Sequence, residues 1–92
     1  MVVRKRVDGY TIGPLADLPG AVLAGANLNY ANLSRANLAY AEIGGTNLTG
    51  VDLSGAKLNY ANLLNARMEG VGSMVGVTFA NTTMPDGSIK NS

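Results

Sequence analysis

The chain contains no cysteine, no histidine and no tryptophan among its 92 residues. Without cysteine there is no disulfide and no thiolate ligand for a metal. Without histidine the commonest metal ligand and general base is also missing. Neither a histidine-dependent triad nor a zinc site can therefore be built from this sequence. We expect a non-catalytic protein with no catalytic residues, no metal, no cofactor and no small-molecule substrate.

Net charge and long apolar runs are also scarce. The formal net charge is +1, and residues 16–70 carry three basic and four acidic side chains. A nearly neutral body favours neither nucleic acid nor a membrane surface as partner. No apolar run is long enough for a membrane span or a signal peptide. We expect a soluble protein that is cytoplasmic, or part of an assembly made in the cytoplasm.

A period of five residues runs through the chain and is clearest in "ANLNYANLSRANLAYAEIGG", residues 26–45. An α-helix rotates positions five apart by about 140°, so they share no face. A single strand sends positions an odd number apart to opposite sides of its sheet. The period is satisfied by a backbone that runs straight, turns once every five residues, and closes into a coil.

Two columns of each five-residue unit are predicted to point inward, because alternate residues of an extended segment share a side. The central column is aliphatic or Met throughout: Leu18, Leu23, Leu28, Leu33, Leu38, Ile43, Leu48, Leu53, Leu58, Leu63 and Met68. The column two residues earlier holds small or short side chains: Ala16, Ala21, Ala26, Ala31, Ala36, Ala41, Thr46, Val51, Ala56, Ala61 and Ala66. The other three positions of each unit are predicted to face solvent.

The units "ANLNY", "ANLSR", "ANLAY" and "ANLLN" resemble the A(D/N)LXX unit of pentapeptide-repeat proteins. The resemblance is unbroken over residues 16–70, which we interpret as the regular repeat region. It implies an all-β fold, a right-handed quadrilateral β-helix with four pentapeptides in each coil, here about four coils. The periodicity by itself predicts a closed solenoid, whereas four sides rather than three come from the resemblance only.

The two ends depart from the regular repeat. After "ARMEG" an unbroken frame would place Ser73 in the core, and one extra residue restores the inward series Met74, Phe79, Met84 and Ile89. We interpret residues 71–92 as a bulge, a last irregular coil and a C-terminal cap that includes "TMPDGSI"; a flexible loop with an unstructured tail is the alternative. Residues 1–15 are interpreted as a basic arm and irregular cap, with Val2, Val7 and Ile12 at the same spacing.

Some outward positions carry recognisable patterns. Tyr40 and Tyr60 are expected to stack on one face, with Tyr30 on another. Asn27 and Asn47 are expected to form a hydrogen-bonded ladder. The recurrent glycines fall at the corner position, where a turn favours glycine, and so do not indicate a phosphate-binding loop. For these features we favour a structural role over a role in binding.

Two candidate interaction sites remain. Val22, Ala24, Gly44 and Leu64 are predicted to share a face that is flatter and more apolar than the others, and such a patch can mark a partner surface; a harmless run of small residues is the alternative. Arg4, Lys5 and Arg6 form a basic arm that could reach phosphates. Because no aromatic platform accompanies them, a solvated arm that covers the cap or latches onto a partner is favoured.

The leading functional hypothesis is a structural or protein-interaction module whose partner is another protein or copies of itself. A structural or decoration component of a larger assembly, such as a virion, is the alternative. Some relatives implied by the resemblance are DNA mimics that bind gyrase. A mimic about 19 Å long would need on the order of ten negative charges, and the nearly neutral repeat region argues against that role and against nucleic-acid binding.

Overall fold

The structure is a computed structural model that describes residues 5–72 and 74–92. Four short strands are present: β1 (Lys5–Val7), β2 (Tyr10–Ile12), β3 (Thr82–Thr83) and β4 (Ile89–Lys90). β1 pairs antiparallel with β2, and β3 pairs antiparallel with β4. The described residues contain no helix. Short parallel bridges join the segments between the two hairpins, so the fold is all-β.

The parallel bridges connect residues 20 apart in sequence. Asp17 pairs with Asn37, and Asn37 pairs in turn with Lys57. The same spacing recurs in the other bridges of the regular region: Val22 with Glu42, Asn27 with Asn47, Asn32 with Asp52, Glu42 with Asn62, and Asn47 with Arg67. Segments that are four pentapeptides apart in sequence are therefore neighbours in the backbone ladder. We call each 20-residue segment a layer.

The core is formed by the two predicted inward columns. All the Leu and Ile residues of the central column are at most 5% exposed. The small-residue column is buried except for Ala26, which is partly buried against the same core. Thr46 is fully buried, and its hydroxyl donates to the Ile43 carbonyl at 2.6 Å. The inward assignment is confirmed, and among the described residues no buried side-chain polar atom lacks a partner.

The extra residue after the regular repeats is confirmed by the change in bridge spacing. Lys57 pairs with Thr78 and Asn62 with Thr83, one residue more than the spacing of 20. The backbone hydrogen bonds show the same change. The bond from Gly50 N–H to the Glu69 carbonyl spans 19 residues, whereas the corresponding bond from Gly55 N–H to the Val75 carbonyl spans 20. The insertion therefore lies between Glu69 and Val75. Ser73 lies outside the described residues.

Beyond the insertion the inward series continues for three positions and then fails. Met74, Phe79 and Met84 pack half-buried against the core as predicted. Ile89 is 55% exposed, so its predicted inward position is wrong. The reason is a reversal after Met84, whose N–H and carbonyl both bond within the turn, to Ser88 and Gly87. The chain then runs back beside β3 instead of entering a new side.

The N-terminal hairpin covers the first layer. Ile12 is buried, and Val7 and Tyr10 pack against the core. Leu18, at 5% exposed, is the most accessible central leucine of the first layer. The hairpin therefore shields this end from water. Val2, which shares the predicted spacing, lies outside the described residues.

The outward asparagines do not behave as expected. Asn27 Oδ1 accepts a hydrogen bond from the N–H of Asn29, and Asn47 Oδ1 accepts one from Thr49, both at 3.1 Å. The predicted ladder from Asn27 to Asn47 is therefore wrong, because each side-chain amide oxygen accepts a hydrogen bond from an N–H of its own pentapeptide. That N–H belongs to the first corner residue and is not used in the backbone ladder.

Candidate interaction face

Each pentapeptide ends in a two-residue corner whose second residue has a positive φ. Ala21 N–H donates to the Leu18 carbonyl across the corner Pro19–Gly20, and Gly20 has a φ of 69°. A positive φ at the third residue of a four-residue turn is the type II arrangement, for which glycine is preferred. The reading of the recurrent glycines as corner residues is confirmed. Tyr30, Arg35, Tyr40, Tyr60 and Asn65 occupy the same corner position with φ between 59° and 63°.

Tyr40 and Tyr60 occupy the same corner in successive layers. Their ring centroids are 4.9 Å apart and the ring planes differ by 7°. The predicted stacking is therefore confirmed. The two side chains are 61% and 47% exposed, so the stacked pair is open to solvent. Tyr30 lies at a different corner, where its ring covers Gly50.

The tyrosine corner leads directly into one side of the stack. Tyr40 and Tyr60 immediately precede the segments 41–43 and 61–63. The outward column of this side is Val22, Glu42 and Asn62, joined by parallel bridges. Asn62 Nδ2 donates to Glu42 Oε2 at 3.4 Å, which ties two layers together. Val22 is 61% exposed.

The corner at the far end of the same side is small and apolar. Gly25 N–H donates to the Gly44 carbonyl at 3.0 Å, and Gly45 N–H donates to the Leu64 carbonyl at 2.8 Å. These bonds stack Ala24, Gly44 and Leu64 in one column. Leu64 is 41% exposed. We call the side from the tyrosine corner to this column the Tyr–Leu face.

Sequence reasoning found part of the Tyr–Leu face. Val22 lies in one of its columns, and Ala24, Gly44 and Leu64 form another. The five-residue pattern does not connect these residues with the tyrosine stack, although Tyr40 lies only two residues before Glu42. Nor does the pattern indicate Tyr10, whose hydroxyl accepts a hydrogen bond from the Val22 N–H at 3.1 Å. Three of the four tyrosines thus lie on or beside one face.

The basic arm is only partly described. Arg4 lies outside the described residues, and Lys5 is placed by its backbone in β1. Arg6 is exposed at the middle of β1, where it pairs with Thr11. The role of this arm as a partner contact stays a prediction.

Acidic residues are dispersed over the stack. Asp17 pairs with Asn37, Glu42 with Asn62, and Asp52 with Asn32. No group of three His, Cys, Asp or Glu residues that could hold a metal occurs in the described part of the chain. The Asp52 carboxylate accepts hydrogen bonds from the Ser54 N–H and hydroxyl. These bonds lower the pKa of Asp52 because they favour its charged form.

The structure is that of an all-β repeat protein with stacked five-residue units. The pentapeptide-repeat family model matches residues 16–55 and 44–71 with eight copies. The chain therefore belongs to the pentapeptide-repeat family. Within residues 5–72 and 74–92 there is no helix long and apolar enough to cross a membrane.

A solved structure is also similar to the chain. HetL, a pentapeptide repeat protein involved in heterocyst differentiation regulation from the cyanobacterium Nostoc sp. strain PCC 7120, is 34% identical in sequence. The match covers 84% of this chain and 40% of HetL, with a TM-score of 0.31. This chain thus spans less than half the length of HetL. No curated protein sequence matches the chain.

Proposed function

We propose that the chain is a non-catalytic protein-interaction module that binds another protein through the Tyr–Leu face. The scaffold is a right-handed quadrilateral β-helix of about four coils, with residues 1–15 and 71–92 as caps of the regular region 16–70. The observation that supports this function is the convergence on one side of an exposed tyrosine stack and an exposed apolar column. Tyrosine is enriched in the buried centres of protein interfaces.

The composition of the face supports a protein partner. Glu42 is the only charged residue in the outward column Val22, Glu42 and Asn62. The Asn62 amide donates a hydrogen bond to one of the two Glu42 carboxylate oxygens. Interface centres are poor in charge because a desolvated charge needs a partner. The stacked backbone holds the face in one conformation, so binding costs little conformational entropy.

The distribution of carboxylates argues against DNA mimicry. A mimic would repeat negative charges along one column, as phosphates repeat along a duplex. Each of Asp17, Glu42 and Asp52 instead pairs with asparagine in the adjacent layer. Arg4, Lys5 and Arg6 are three consecutive basic residues in the sequence, and in this proposal the arm they form is not required for binding through the face.

The proposed face is tested by adding a single charge at its centre. Leu64→Glu should leave the fold intact, because Glu69 already occupies the corresponding corner position in the next pentapeptide. Burying that charge should abolish capture of the partner in a pull-down from the source cells. Asn29→Glu adds the same charge at the same position of another pentapeptide, on a different corner, and should bind like the parent.

The result separates the face from the basic arm. If Leu64→Glu captures the same proteins as the parent, the Tyr–Leu face is not the binding surface. Deleting residues 1–6 should have little effect on binding through the face. If that deletion abolishes capture, and capture by the parent weakens with salt, the arm is the binding element instead.

A further inference from the structure

One layer of the tyrosine corner has no side chain. Gly20 N–H donates to the Ala39 carbonyl at 2.8 Å, as Tyr40 N–H donates to the Asn59 carbonyl at 2.9 Å in the next layer. Gly20, Tyr40 and Tyr60 therefore occupy the same corner in the first, second and third layers. A Cβ built on Gly20 would meet no heavy atom of the described residues within 4 Å. The first layer thus leaves open space beside the Tyr40 ring.

The Tyr40 ring has one face free for another planar group. Its other face stacks on Tyr60, with the ring centroids 4.9 Å apart and the planes 7° from parallel. The Tyr30 ring, by contrast, lies over Gly50 and would come within 2.5 Å of a Cβ there. In the described part of the chain no ring lies over Gly20 in this way. Because neighbouring strands are about 4.8 Å apart, a planar group at the level of the first layer would continue the stack.

An apolar side chain and a carboxylate border this space. Val22 follows Gly20 by two residues, is 61% exposed, and pairs with Glu42 of the second layer. Asn62 donates to Glu42 Oε2, and Oε1 has no hydrogen-bond partner in the part of the chain that the structure describes. The outward column Val22, Glu42 and Asn62 contains no basic residue. The carboxylate is therefore available to a donor from another molecule.

We propose that the slot formed by Gly20, Val22, Tyr40 and Glu42 binds an arginine side chain of the partner protein. The guanidinium stacks on the free face of Tyr40, and its N–H groups donate to Glu42 Oε1. The methylene stem of the arginine packs on Val22. Guanidinium, unlike ammonium, can stack flat on an aromatic ring while it donates to a carboxylate. The inference rests on the proposed function, because the slot is the first-layer end of the Tyr–Leu face.

Other groups fit this arginine slot less well. An aromatic side chain of a partner would cover Glu42 without donating to it, and a desolvated carboxylate without a donor is costly. A nucleobase would bring its phosphate close to Glu42 and to Asp17, which is exposed three residues before Gly20. A lysine could reach the carboxylate but would not extend the stack. The slot therefore favours a ligand that is both basic and planar.

Binding of short peptides, followed by the backbone amide NMR signals of the full chain, tests the slot directly. The probe is an amidated peptide with one arginine between glycines, and the matched probes carry citrulline or lysine in its place. Citrulline keeps the planar shape and loses the charge. The arginine peptide should shift the signals of Gly20, Val22 and Glu42 with a dissociation constant in the millimolar range. The citrulline and lysine peptides should bind at least about fivefold more weakly.

Filling the slot with a ring of the chain itself should prevent peptide binding. The corner accepts tyrosine, since Tyr40 and Tyr60 have φ of 62° and 63° where Gly20 has 69°. Gly20→Tyr should therefore fold and lose the saturable shifts. Gly70→Tyr is its control, because it adds the same ring at the Tyr30 corner, and it should bind the peptide like the parent.

Removing the charge of the slot provides a second variant that leaves the backbone unchanged. Glu42 is exposed, and in Glu42→Gln the side-chain carbonyl can still accept the hydrogen bond from Asn62. This variant should bind the arginine peptide about tenfold more weakly, because the charge-assisted hydrogen bond is lost. Glu69→Gln removes the same charge at an exposed position on another corner and should bind like the parent.

The outcomes separate the arginine slot from the Tyr–Leu face. The slot is overturned if the arginine peptide gives no saturable shift at Gly20 and Val22, if the citrulline peptide binds as tightly, or if Gly20→Tyr binds like the parent. It is also overturned, with the face intact, if Leu64→Glu loses partner capture in the pull-down while Gly20→Tyr and Glu42→Gln retain it. If Leu64→Glu captures the same proteins as the parent, the proposed function fails, and the peptide titration decides on the slot independently.

Discussion

The rings of Tyr40 and Tyr60 lie 4.9 Å apart and nearly parallel, and both residues have a left-handed backbone, with φ of 62° and 63°. A left-handed conformation costs a non-glycine residue about 1–2 kcal/mol. A stacked aromatic pair contributes about 0.5–1.5 kcal/mol beyond its area burial. The contact between layers thus offsets part of the strain that the two corners impose.

A double-mutant cycle should measure this contact. Leu15 has a φ of 61°, so leucine is compatible with the corner conformation, and Tyr40→Leu and Tyr60→Leu remove the stack without forcing a new backbone. We expect a coupling free energy of about 0.5–1.5 kcal/mol from denaturant unfolding. Tyr30→Leu combined with Tyr60→Leu should show none, because these residues lie on different corners. Additive losses in the Tyr40 and Tyr60 pair would contradict the prediction.

The inward and outward columns predict opposite responses to the same new charge. Leu48 is 1% exposed in the middle of the stack. Leu48→Asp should therefore bury an unpaired carboxylate, destabilise the fold by more than about 4 kcal/mol and abolish the cooperative thermal transition. Asn47→Asp should melt like the parent, because aspartate can accept the hydrogen bond that Thr49 N–H now donates to Asn47. Equal melting of both variants would disprove the inward assignment.

The sequence predicts the regular region well because every five-residue unit has aliphatic or small residues at the same two inward positions. The insertion near Ser73 was also predictable, since Met74 and Phe79 are back in frame only after one extra residue. Ile89 was not, because its spacing from Met84 is correct and only the turn closed by Gly87 sends it outward. Such a reversal depends on local hydrogen bonds that a five-residue period does not encode.

The candidate face was predictable only in part. The small and apolar corner residues, from Ala24 to Leu64, are visible as a column once a 20-residue period is assumed. That Tyr40 begins the same side follows from its place before Ala41, a relation that is easily overlooked in the linear sequence. The hydrogen bond from the Val22 N–H to the Tyr10 hydroxyl depends on how the hairpin folds over the first layer. No repeat pattern predicts that contact.

The hydrogen bonds at Asp52 predict a loss of stability in acid. The hydrogen bonds that the Ser54 N–H and hydroxyl donate to the Asp52 carboxylate lower the pKa of this carboxyl below its ordinary value. A carboxyl with a lowered folded pKa stabilises the protein above its unfolded pKa, and this contribution is lost as pH falls through the folded pKa. Asp52→Asn should therefore flatten the decline in melting temperature below about pH 4. Asn32 already accepts the equivalent bonds from Ser34 in the preceding layer, so the variant should fold.

The contact between Tyr30 and Gly50 predicts a loss of stability that depends on the tyrosine. A Cβ built on Gly50 would lie 2.5 Å from the Tyr30 ring, whereas one on Gly70, in the next layer of the same corner, comes no closer than 3.9 Å to the Gly50 nitrogen. Gly50 and Gly70 have φ of 71° and 68°. Alanine should therefore cost about 1–2 kcal/mol at either position from backbone strain alone. Gly50→Ala should cost more than Gly70→Ala, because it also displaces the ring.

Denaturant unfolding of the single and double variants checks this dependence. In a Tyr30→Ala background the ring is absent, so Gly50→Ala and Gly70→Ala should become equally destabilising, each near the backbone cost. The ring is 74% exposed and can move outward, which limits the additional cost at Gly50 to about 1 kcal/mol. Two equal losses in the parent background would show that Tyr30 does not rest on Gly50, and that the corner glycines are required only for their positive φ.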